Sequence, residues 1–343
     1  AVVGIGSNGK ICDIIREILL DKQAVCSYGA KTELSMEGGR IISTEPFYAY
    51  IKIAEGCSNN CTYCAIPSIR GKYRSRRMED IVKEARWLAE NGVTELVVVA
   101  QDTTRYGEDI YGKSMLPELL TALCEIDGFK WIRTLYCYPE RITDELLDVI
   151  AKEDKLVKYL DMPIQHCNKN ILKRMNRHGD RETLTALIKK IREKIPNVTL
   201  RTTLITGFPG ETEEQFEELC EFVKEIRFER LGCFAYSPEE GTPAEKFEDQ
   251  VPLKDRERRA EIIMEEQMII SDSLNEDALD SEVEVVCEGF DRYAECYYGR
   301  SQADAPEIDG KIFFLSEDKV RVGEYVKVKI DDTMDYDLIG SKM

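Results

Sequence analysis

From residue 48 onward, short apolar runs alternate with longer amphipathic runs, and this alternation restricts the fold more than any other feature of the chain. Six repeats of strand followed by helix predict a parallel sheet with right-handed crossovers. The predicted strands are Tyr50–Ala54, Glu95–Ala100, Trp131–Leu135, Lys158–Pro163, Thr199–Ile205 and Leu231–Tyr236. The predicted helices are Glu79–Asn91, Leu116–Glu125, Asp144–Ala151, Glu182–Lys194, Thr212–Glu225 and a long one from Lys254 to about Ser273.

A different pattern begins near residue 278, where short runs rich in Val, Ile, Tyr and Phe are separated by turns such as Asp309-Gly310. This pattern predicts a small antiparallel β-barrel of about five strands. Residues 280–343 contain 16 acidic and 8 basic residues, which is the wrong sign for binding nucleic acid and favours a basic protein partner. The strands expected here are Val283–Cys287, Ala294–Tyr298, Lys311–Leu315 and Tyr325–Ile330.

Three cysteines, Cys57, Cys61 and Cys64, lie on one short loop directly after the first predicted strand. Cysteine thiolates are the usual ligands of iron–sulfur clusters, and three thiolates leave one iron of a four-iron cluster without a protein ligand. An open coordination position is typical of catalytic rather than structural metal sites. Functional residues of such α/β folds lie at the C-terminal ends of the strands, which is where this loop lies.

A structural zinc site is the main alternative for this loop. Zinc would need a fourth ligand, usually from a second Cys or His pair, and the only histidines, His166 and His178, lack a paired-ligand spacing. Buried structural cysteines are a second alternative, but three within eight residues, among Gly, Ser and two Asn, do not fit it. A zinc-bearing, non-catalytic adaptor for basic proteins is therefore kept as a hypothesis from another functional class.

The length of 343 residues accommodates two domains, one of them large. No stretch approaches the ~20 apolar residues of a membrane span, and no signal peptide is visible. Twelve cysteines without a regular framework indicate a reducing cytoplasm. The formal charge of −18 predicts a basic protein partner or simply good solubility.

The first 47 residues contain little that could form a core. A strand over residues 1–6 and a short helix over Ile11–Leu20 are predicted first. A polar stretch, Ser27–Gly39, follows them, and we interpret it as a linker. Two elements cannot bury a core alone, so we expect the remnant of a truncated or partly ordered domain. The predicted division is 1–47 for this remnant and linker, 48–277 for the strand–helix domain and 278–343 for the β-barrel.

The cysteine spacing, with Tyr63 before the last cysteine, resembles the motif of the radical S-adenosylmethionine (radical SAM) enzymes. Over nearly its whole length the chain resembles the methylthiotransferase branch of that superfamily, and it is most similar to the ribosomal-protein aspartate methylthiotransferases. The stretches that carry the resemblance are 56–64, 70–77, 99–104, 163–166, 205–212 and 299–310, of which the last discriminates best from the tRNA-modifying relatives.

The resemblance implies a partial, TIM-like (β/α) barrel of six units followed by a β-barrel called TRAM. It also implies a [4Fe-4S] cluster on the three cysteines, SAM as cofactor, and a reductant such as flavodoxin or ferredoxin. The implied reaction adds a methylthio group to the β-carbon of an aspartate in a small-subunit ribosomal protein of the S12 type. A second cluster is expected only in a complete N-terminal domain; Cys12 and Cys26 do not match its motif, so we expect SAM cleavage without complete thiolation.

Several polar residues near predicted strand ends are candidate cofactor contacts, because a buried polar side chain needs a partner. The resemblance places Tyr63 beside the adenine, and the guanidinium of Arg201 suits a carboxylate. Gly207 and Gly210 permit close approach of the backbone, and Glu211 suits the N-terminus of the next helix. The alternatives are a tight turn with a helix cap at 207–211 and a satisfied core histidine at 166. The predicted cofactor-binding residues are Tyr63, Gln101, Asp102, Gln165, Arg201, Gly207, Gly210 and Glu211.

A tRNA adenosine methylthiotransferase is the alternative within the family. Its best support is a basic run with one tyrosine directly after the cysteine loop, which could contact RNA or simply form a solvated edge. The acidic barrel argues against tRNA as the partner. The run consists of Arg70, Lys72, Tyr73, Arg74, Arg76 and Arg77.

Overall fold

The computed structural model describes residues 1–21 and 24–343 of the chain. All six predicted helices are confirmed, and no end differs from the prediction by more than three residues. Three short helices, α2, α4 and α7, were not predicted because four to six residues are too few to show helical periodicity. The helices of the described chain are α1 (Ile11–Asp21), α2 (Ile66–Arg70), α3 (Met78–Glu90), α4 (Glu108–Tyr111), α5 (Leu116–Cys124), α6 (Asp144–Lys152), α7 (Lys169–Arg174), α8 (Arg181–Lys194), α9 (Glu213–Ile226) and α10 (Leu253–Glu276).

The six predicted strands of the strand–helix region are also confirmed, as β3 and β6 to β10. The strands are β1 (Val2–Val3), β2 (Cys26–Ser27), β3 (Tyr48–Lys52), β4 (Ala54–Glu55), β5 (Arg74–Ser75), β6 (Glu95–Val99), β7 (Trp131–Thr134), β8 (Tyr159–Asp161), β9 (Thr199–Thr206), β10 (Arg230–Ala235), β11 (Glu282–Asp291), β12 (Cys296–Arg300), β13 (Ile312–Leu315), β14 (Tyr325–Met334) and β15 (Asp337–Lys342).

The parallel sheet is divided rather than continuous. Strands β3, β6 and β7 form one parallel sheet, and β8, β9 and β10 form another. A single parallel bridge, Ile132 with Leu156, links the two halves. The strands therefore follow one another in chain order, and β3 and β10 at the two ends each pair with one neighbour within the described residues. This arrangement is the expected partial barrel of six strand–helix units.

The two faces of this curved sheet are covered by different partners. Residues such as Ile51 and Val98 face the helices and belong to one large apolar core. Their neighbours Tyr48 and Val97 face the lumen, where they pack against Ala305 of the C-terminal barrel. Because parallel strands are covered on both faces, they carry near-continuous apolar runs instead of alternating ones.

The C-terminal region is a closed five-stranded barrel in the order β11-β12-β13-β15-β14, as predicted. Four of its five strand pairings are antiparallel, as expected, and the remaining one, between β13 and β15, is parallel. Alternate residues of its strands, among them Val285, Phe314 and Val328, fill the barrel interior.

At the N-terminus, β1 pairs in parallel with β2, and α1 connects them. The expected linker is not wholly irregular, since Ser27 belongs to β2 and Lys31–Glu33 form a 3₁₀ turn. The predicted domain divisions after residues 47 and 277 stay predictions. Among the described residues, no helix combines the length and the apolar character needed to cross a membrane.

Candidate functional site

The cysteine loop connects β4 to α2 and is braced by the antiparallel pairing of β4 with β5. Gly56 adopts a φ of +76°, and a Cβ at this position would collide with the carbonyl oxygen of Lys72. Glycine is therefore required at the turn into the loop. The N–H of Cys57 then donates to the carbonyl oxygen of Gly71 at 3.1 Å. These contacts fix the start of the loop through the protein's own backbone.

Cys57, Cys61 and Cys64 line one cavity of about 610 Å³, which we call the cysteine cavity. Cys61 is buried and the other two are half-buried. Burial raises the pKa of the Cys57 and Cys64 thiols, so the thiolates required for ligation need a nearby cation such as a bound metal. Within the described chain, no three His, Cys, Asp or Glu side chains converge as ligands of one metal ion.

The other walls of the cysteine cavity come from the C-terminal ends of neighbouring strands. Gln101 follows β6, Tyr136 follows β7, and Gln165 follows β8. The Oε1 atom of Gln101 is buried and has no hydrogen-bond partner among the described residues, although buried polar atoms are normally paired. The cavity volume is in the range of small-molecule sites. Three thiols and an unpaired acceptor in such a cavity fit a metal cluster together with a polar cofactor.

A buried cation lies beside the cysteines. The guanidinium of Arg177 lies 3.9 Å from the ring centre of Tyr138 and 3.5 Å from the Tyr63 hydroxyl. The Tyr138 hydroxyl is 2.7 Å from Cys61 Sγ, and Glu140 is 3.5 Å from Arg177 Nε. Arg177 was missed from the sequence because it follows α7, far along the chain from any strand end. Arg177 therefore places a buried positive charge next to the cysteine loop.

Among the predicted cofactor-binding residues, Tyr63, Gln101 and Gln165 line the cysteine cavity, and their roles stay predictions. Asp102 is fully buried and does not line it. Its carboxylate accepts hydrogen bonds from Asn59 Nδ2 at 2.8 Å and from Thr104 Oγ1 at 2.5 Å. Asp102 therefore anchors the cysteine loop to the end of β6.

The structure does not bring Arg201 to the cysteine cavity. Its guanidinium donates to Asp161 at 2.8 Å, and its Nε lies 3.6 Å from a carboxylate oxygen of Asp309 in the C-terminal barrel. Arg201 is the third residue of β9 and so lies well below the C-terminal end of that strand. A carboxylate partner predicted for this arginine is present, but the protein itself provides it.

Gly207, Gly210 and Glu211 also lie outside the residues that line the cysteine cavity. A Cβ on Gly207 would collide with Arg256, and one on Gly210 would lie 2.6 Å from Asp249. Close packing against Arg256 and Asp249 therefore explains why glycine occupies both positions. The sequence analysis instead predicted that the two glycines allow an adenine to approach the backbone.

Glu211 forms a buried cluster with His166 and Arg259. Its carboxylate accepts from the N–H of Gly207 at 2.8 Å and from Arg259 at 2.9 Å, and His166 Nε2 is 3.7 Å away. Burial raises the pKa of Glu211 to about 7 and lowers the pKa of His166 to about 3. His166 is a core histidine that is only half satisfied: Nδ1 accepts a hydrogen bond from the N–H of Asn168, whereas Nε2 has no hydrogen-bond partner among the described residues.

The basic run after the cysteine loop is only partly a surface. Arg76 is buried and pairs with Glu37 at 2.6 Å and with Glu84 at 2.7 Å. Tyr73 is buried, and its hydroxyl donates to the carbonyl oxygen of Asp102 at 2.9 Å. These residues therefore hold the loop and the preceding linker in place.

The C-terminal barrel reaches the cysteine cavity through Ile308. Nothing in the sequence pattern could place this residue there, since 244 positions separate it from Cys64. It is contributed by the connection between β12 and β13.

Comparisons with known proteins agree with this arrangement. The model of the Radical SAM superfamily matches residues 51–223, and that of the TRAM domain matches residues 281–342. The chain is 49% identical over 341 residues to ribosomal protein uS12 methylthiotransferase RimO of Clostridium tetani (strain Massachusetts / E88), covering 99% of this chain and 76% of the relative. It is 50% identical over 340 residues to the RimO of Clostridioides difficile (strain 630), with the same coverage.

Among solved structures, coproporphyrinogen III oxidase (HemN) from Escherichia coli, described as a radical SAM enzyme, is similar over 67% of this chain and 54% of its own. Its sequence identity is 21% and its TM-score is 0.48. Since about half of the residues are identical over nearly the whole chain, this protein belongs to the RimO family of ribosomal protein uS12 methylthiotransferases, within the radical SAM superfamily.

Proposed function

We propose that this protein is a radical SAM methylthiotransferase that adds a methylthio group to the β-carbon of an aspartate in ribosomal protein uS12. The observation that carries the proposal is the cysteine cavity, where three thiols face one space at the C-terminal ends of the strands. Family membership implies a [4Fe-4S] cluster and SAM. When bound, the two together provide an organic radical that can remove hydrogen from an unactivated carbon.

In this proposal Cys57, Cys61 and Cys64 hold the cluster, and the protein provides the means to orient SAM. The unpaired Oε1 of Gln101 would be available to accept a hydrogen bond from a polar group of SAM. Gln165, held at a φ of +71° by backbone bonds to β9, presents its amide to the same cavity. Tyr63 lines the cavity and would border the adenine, as the family resemblance implies.

Much of the cavity wall is apolar or aromatic. Leu135, Pro163 and Ile308 line it together with the tyrosines at 63, 136 and 138. An aspartate β-carbon carries no acidic proton suited to a general base, so the hydrogen must be removed as an atom. An apolar surround protects a reactive centre from solvent during that step.

The acidic barrel is proposed to attract the substrate protein. Ribosomal proteins are basic, and complementary charge accelerates encounter in a salt-dependent way. Flavodoxin or ferredoxin is proposed as reductant, and the cytoplasm as the site of action, in keeping with twelve cysteines that are all free. A second cluster is proposed only for a complete N-terminal domain, and no residue of this chain is assigned to it.

Anaerobic reconstitution with iron and sulfide tests the assignment. We expect brown protein that forms 5′-deoxyadenosine from SAM under reduction, and binding to uS12 that weakens as salt is raised. Cys61→Ala should abolish cluster assembly, whereas Cys296→Ala, a change at a buried cysteine of the C-terminal barrel, should not. Zinc without sulfide would support the adaptor hypothesis, and preferential binding of tRNA would support the other branch.

A further inference from the structure

The connection between β12 and β13, residues 301–310, lies in the lumen of the partial barrel, and we call it the floor segment. Ala305 is fully buried there among Tyr48, Trp131 and Tyr159. The C-terminal barrel therefore does more than pack on the outside of the strand–helix domain, because part of it forms an inner layer of that domain.

All six strands of the partial barrel hold the floor segment or Arg300 directly before it. Charged or hydroxyl groups make these contacts, and they point inward from every strand. In strand order, Tyr50 donates to the carbonyl oxygen of Pro306 (3.2 Å), Glu95 accepts from Arg300 (2.8 Å), Arg133 donates to the carbonyl oxygen of Gln302 (2.9 Å), Tyr159 donates to Asp309 (2.6 Å), Arg201 lies by Asp309 (3.6 Å) and Arg230 donates to Asp304 (2.6 Å).

These hydrogen bonds and ion pairs fix the position of the floor segment. Asp304 and Asp309 are buried carboxylates whose partners are arginines and a tyrosine. Removing either partner of a buried pair leaves an uncompensated charge, so the arrangement resists displacement. Ile308, which lies between these anchors, is consequently presented at a fixed place.

Ile308 stands between two cavities. One is the cysteine cavity, and the other, of about 450 Å³, lies between β10, α10 and the floor segment. We call the second one the side cavity. Residues that line the side cavity include Arg201, Arg230, Gly232, Gln267, Ile308 and Gly310.

Two residues that line the side cavity, Arg230 and Gln267, have a side-chain atom whose hydrogen bonding is incomplete. Nε of Arg230 and Oε1 of Gln267 are both buried without a partner among the described residues. One is a donor and the other an acceptor, which is the complement of a peptide group. The strand beside them, β10, is an end strand whose residues are more exposed than those of the other five.

We propose that the side cavity binds the main chain of the substrate segment that carries the target aspartate, and that Ile308 is the wall over which its side chain enters the cysteine cavity. This inference rests on the proposed function. A peptide carbonyl accepts from Arg230, and a peptide N–H donates to Gln267, after small rotations of these side chains into the cavity. Ile308 then acts as a specificity-determining residue, because it limits how the side chain extends toward the cysteines.

Two substitutions separate binding of the substrate main chain in the side cavity from entry of the aspartate side chain past Ile308. Gly232 has a negative φ, and a Cβ there would meet only the Phe234 ring at 4.0 Å, so Gly232→Leu fills the side cavity without disturbing the strand. Gly39→Leu is the matched control, since Gly39 is likewise uncrowded. Ile308→Trp narrows the passage, and Ile308→Leu is its conservative counterpart.

The assay uses the cluster-loaded protein with SAM and recombinant uS12. We expect Gly232→Leu to raise the Kd for uS12 at least 10-fold, while Gly39→Leu stays within 2-fold of the parent. We expect Ile308→Trp to lower uS12-stimulated 5′-deoxyadenosine formation at saturating uS12 at least 10-fold, while its Kd for uS12 stays within 3-fold of the parent. We expect Ile308→Leu to keep the activity of the parent. The change in the cluster's electron paramagnetic resonance spectrum on adding SAM should be the same in Gly232→Leu, Gly39→Leu and the parent.

Unchanged uS12 affinity in Gly232→Leu, or equal losses in binding and turnover for Ile308→Trp, would overturn this inference while leaving the proposed function intact. A parent protein that cleaves SAM but does not bind uS12 would instead refute the proposed substrate, and this inference with it.

Discussion

Glu95 is a buried carboxylate that joins the strand–helix domain to the C-terminal barrel. Its side chain is fully buried and accepts from Arg133 Nε at 3.0 Å and from Arg300 Nη2 at 2.8 Å. The two arginines belong to β7 and β12, so one carboxylate pairs with a cation from each domain. Glu95→Gln keeps the shape but removes the charge, which leaves the buried Arg133 facing a neutral amide, while Arg300 keeps Glu288 at 2.5 Å.

The expected loss in the free energy of unfolding is about 3–5 kcal/mol, the usual result of breaking a buried ion pair on one side. Arg133 strengthens this expectation, since its Nη2 already lacks a partner among the described residues. The exposed pair Lys130–Glu284 joins the same two domains at 2.6 Å, and Glu284→Gln should cost at most about 1 kcal/mol.

Urea titration followed by tryptophan fluorescence measures the difference. Trp131 packs edge-on against Tyr325 of the C-terminal barrel, with ring centres 4.8 Å apart, so its emission reports on this interface. The chain has one other tryptophan, Trp87, which Trp87→Phe removes. Equal midpoints for the Glu95 and Glu284 variants would refute the view that the buried charge holds the domains together.

Three further outcomes are expected. Gly56→Ala should abolish cluster assembly and cost about 1–3 kcal/mol, because the left-handed φ and the carbonyl oxygen behind it exclude a side chain. Arg177→Met should lower the reduction potential of the reconstituted cluster by an amount on the order of tens of millivolts, because a cation beside Cys61 is lost; a potentiometric titration checks it. His166, whose pKa burial lowers to about 3, is neutral when folded, so its contribution to stability is complete above pH ~6.5 and is lost as the pH falls toward 3; His166→Asn should remove this dependence.

For each of these predictions, one experimental result would contradict it. Cluster content in Gly56→Ala equal to that of the control Gly39→Ala would show that the turn tolerates a side chain. An unchanged potential in Arg177→Met would mean that its charge does not reach the sulfurs. Parallel stability curves for His166→Asn and the parent between pH 3 and 6.5, measured by urea titration, would place the histidine outside the pH response.

The sequence alone determined the strand–helix alternation, the second barrel and the position of the cysteine loop. These features depend on local patterns, namely apolar periodicity and the spacing of Cys57, Cys61 and Cys64, which the chain carries whatever its tertiary contacts are. Gln101 and Gln165 were found for a related reason, because the residue after a parallel strand lies at the edge where the loops gather.

Only the tertiary structure decided which polar residues face the cysteines and which serve the protein itself. Arg201 and Asp102 are satisfied by Asp161 and Asn59, and Arg177 and Ile308 enter the cavity from distant parts of the chain. Partners of a buried charge are set by distances in space rather than along the sequence, and sequence periodicity carries no information about them. For the same physical reason, the contacts of the floor segment with the inward faces of all six strands could be identified only from the tertiary structure.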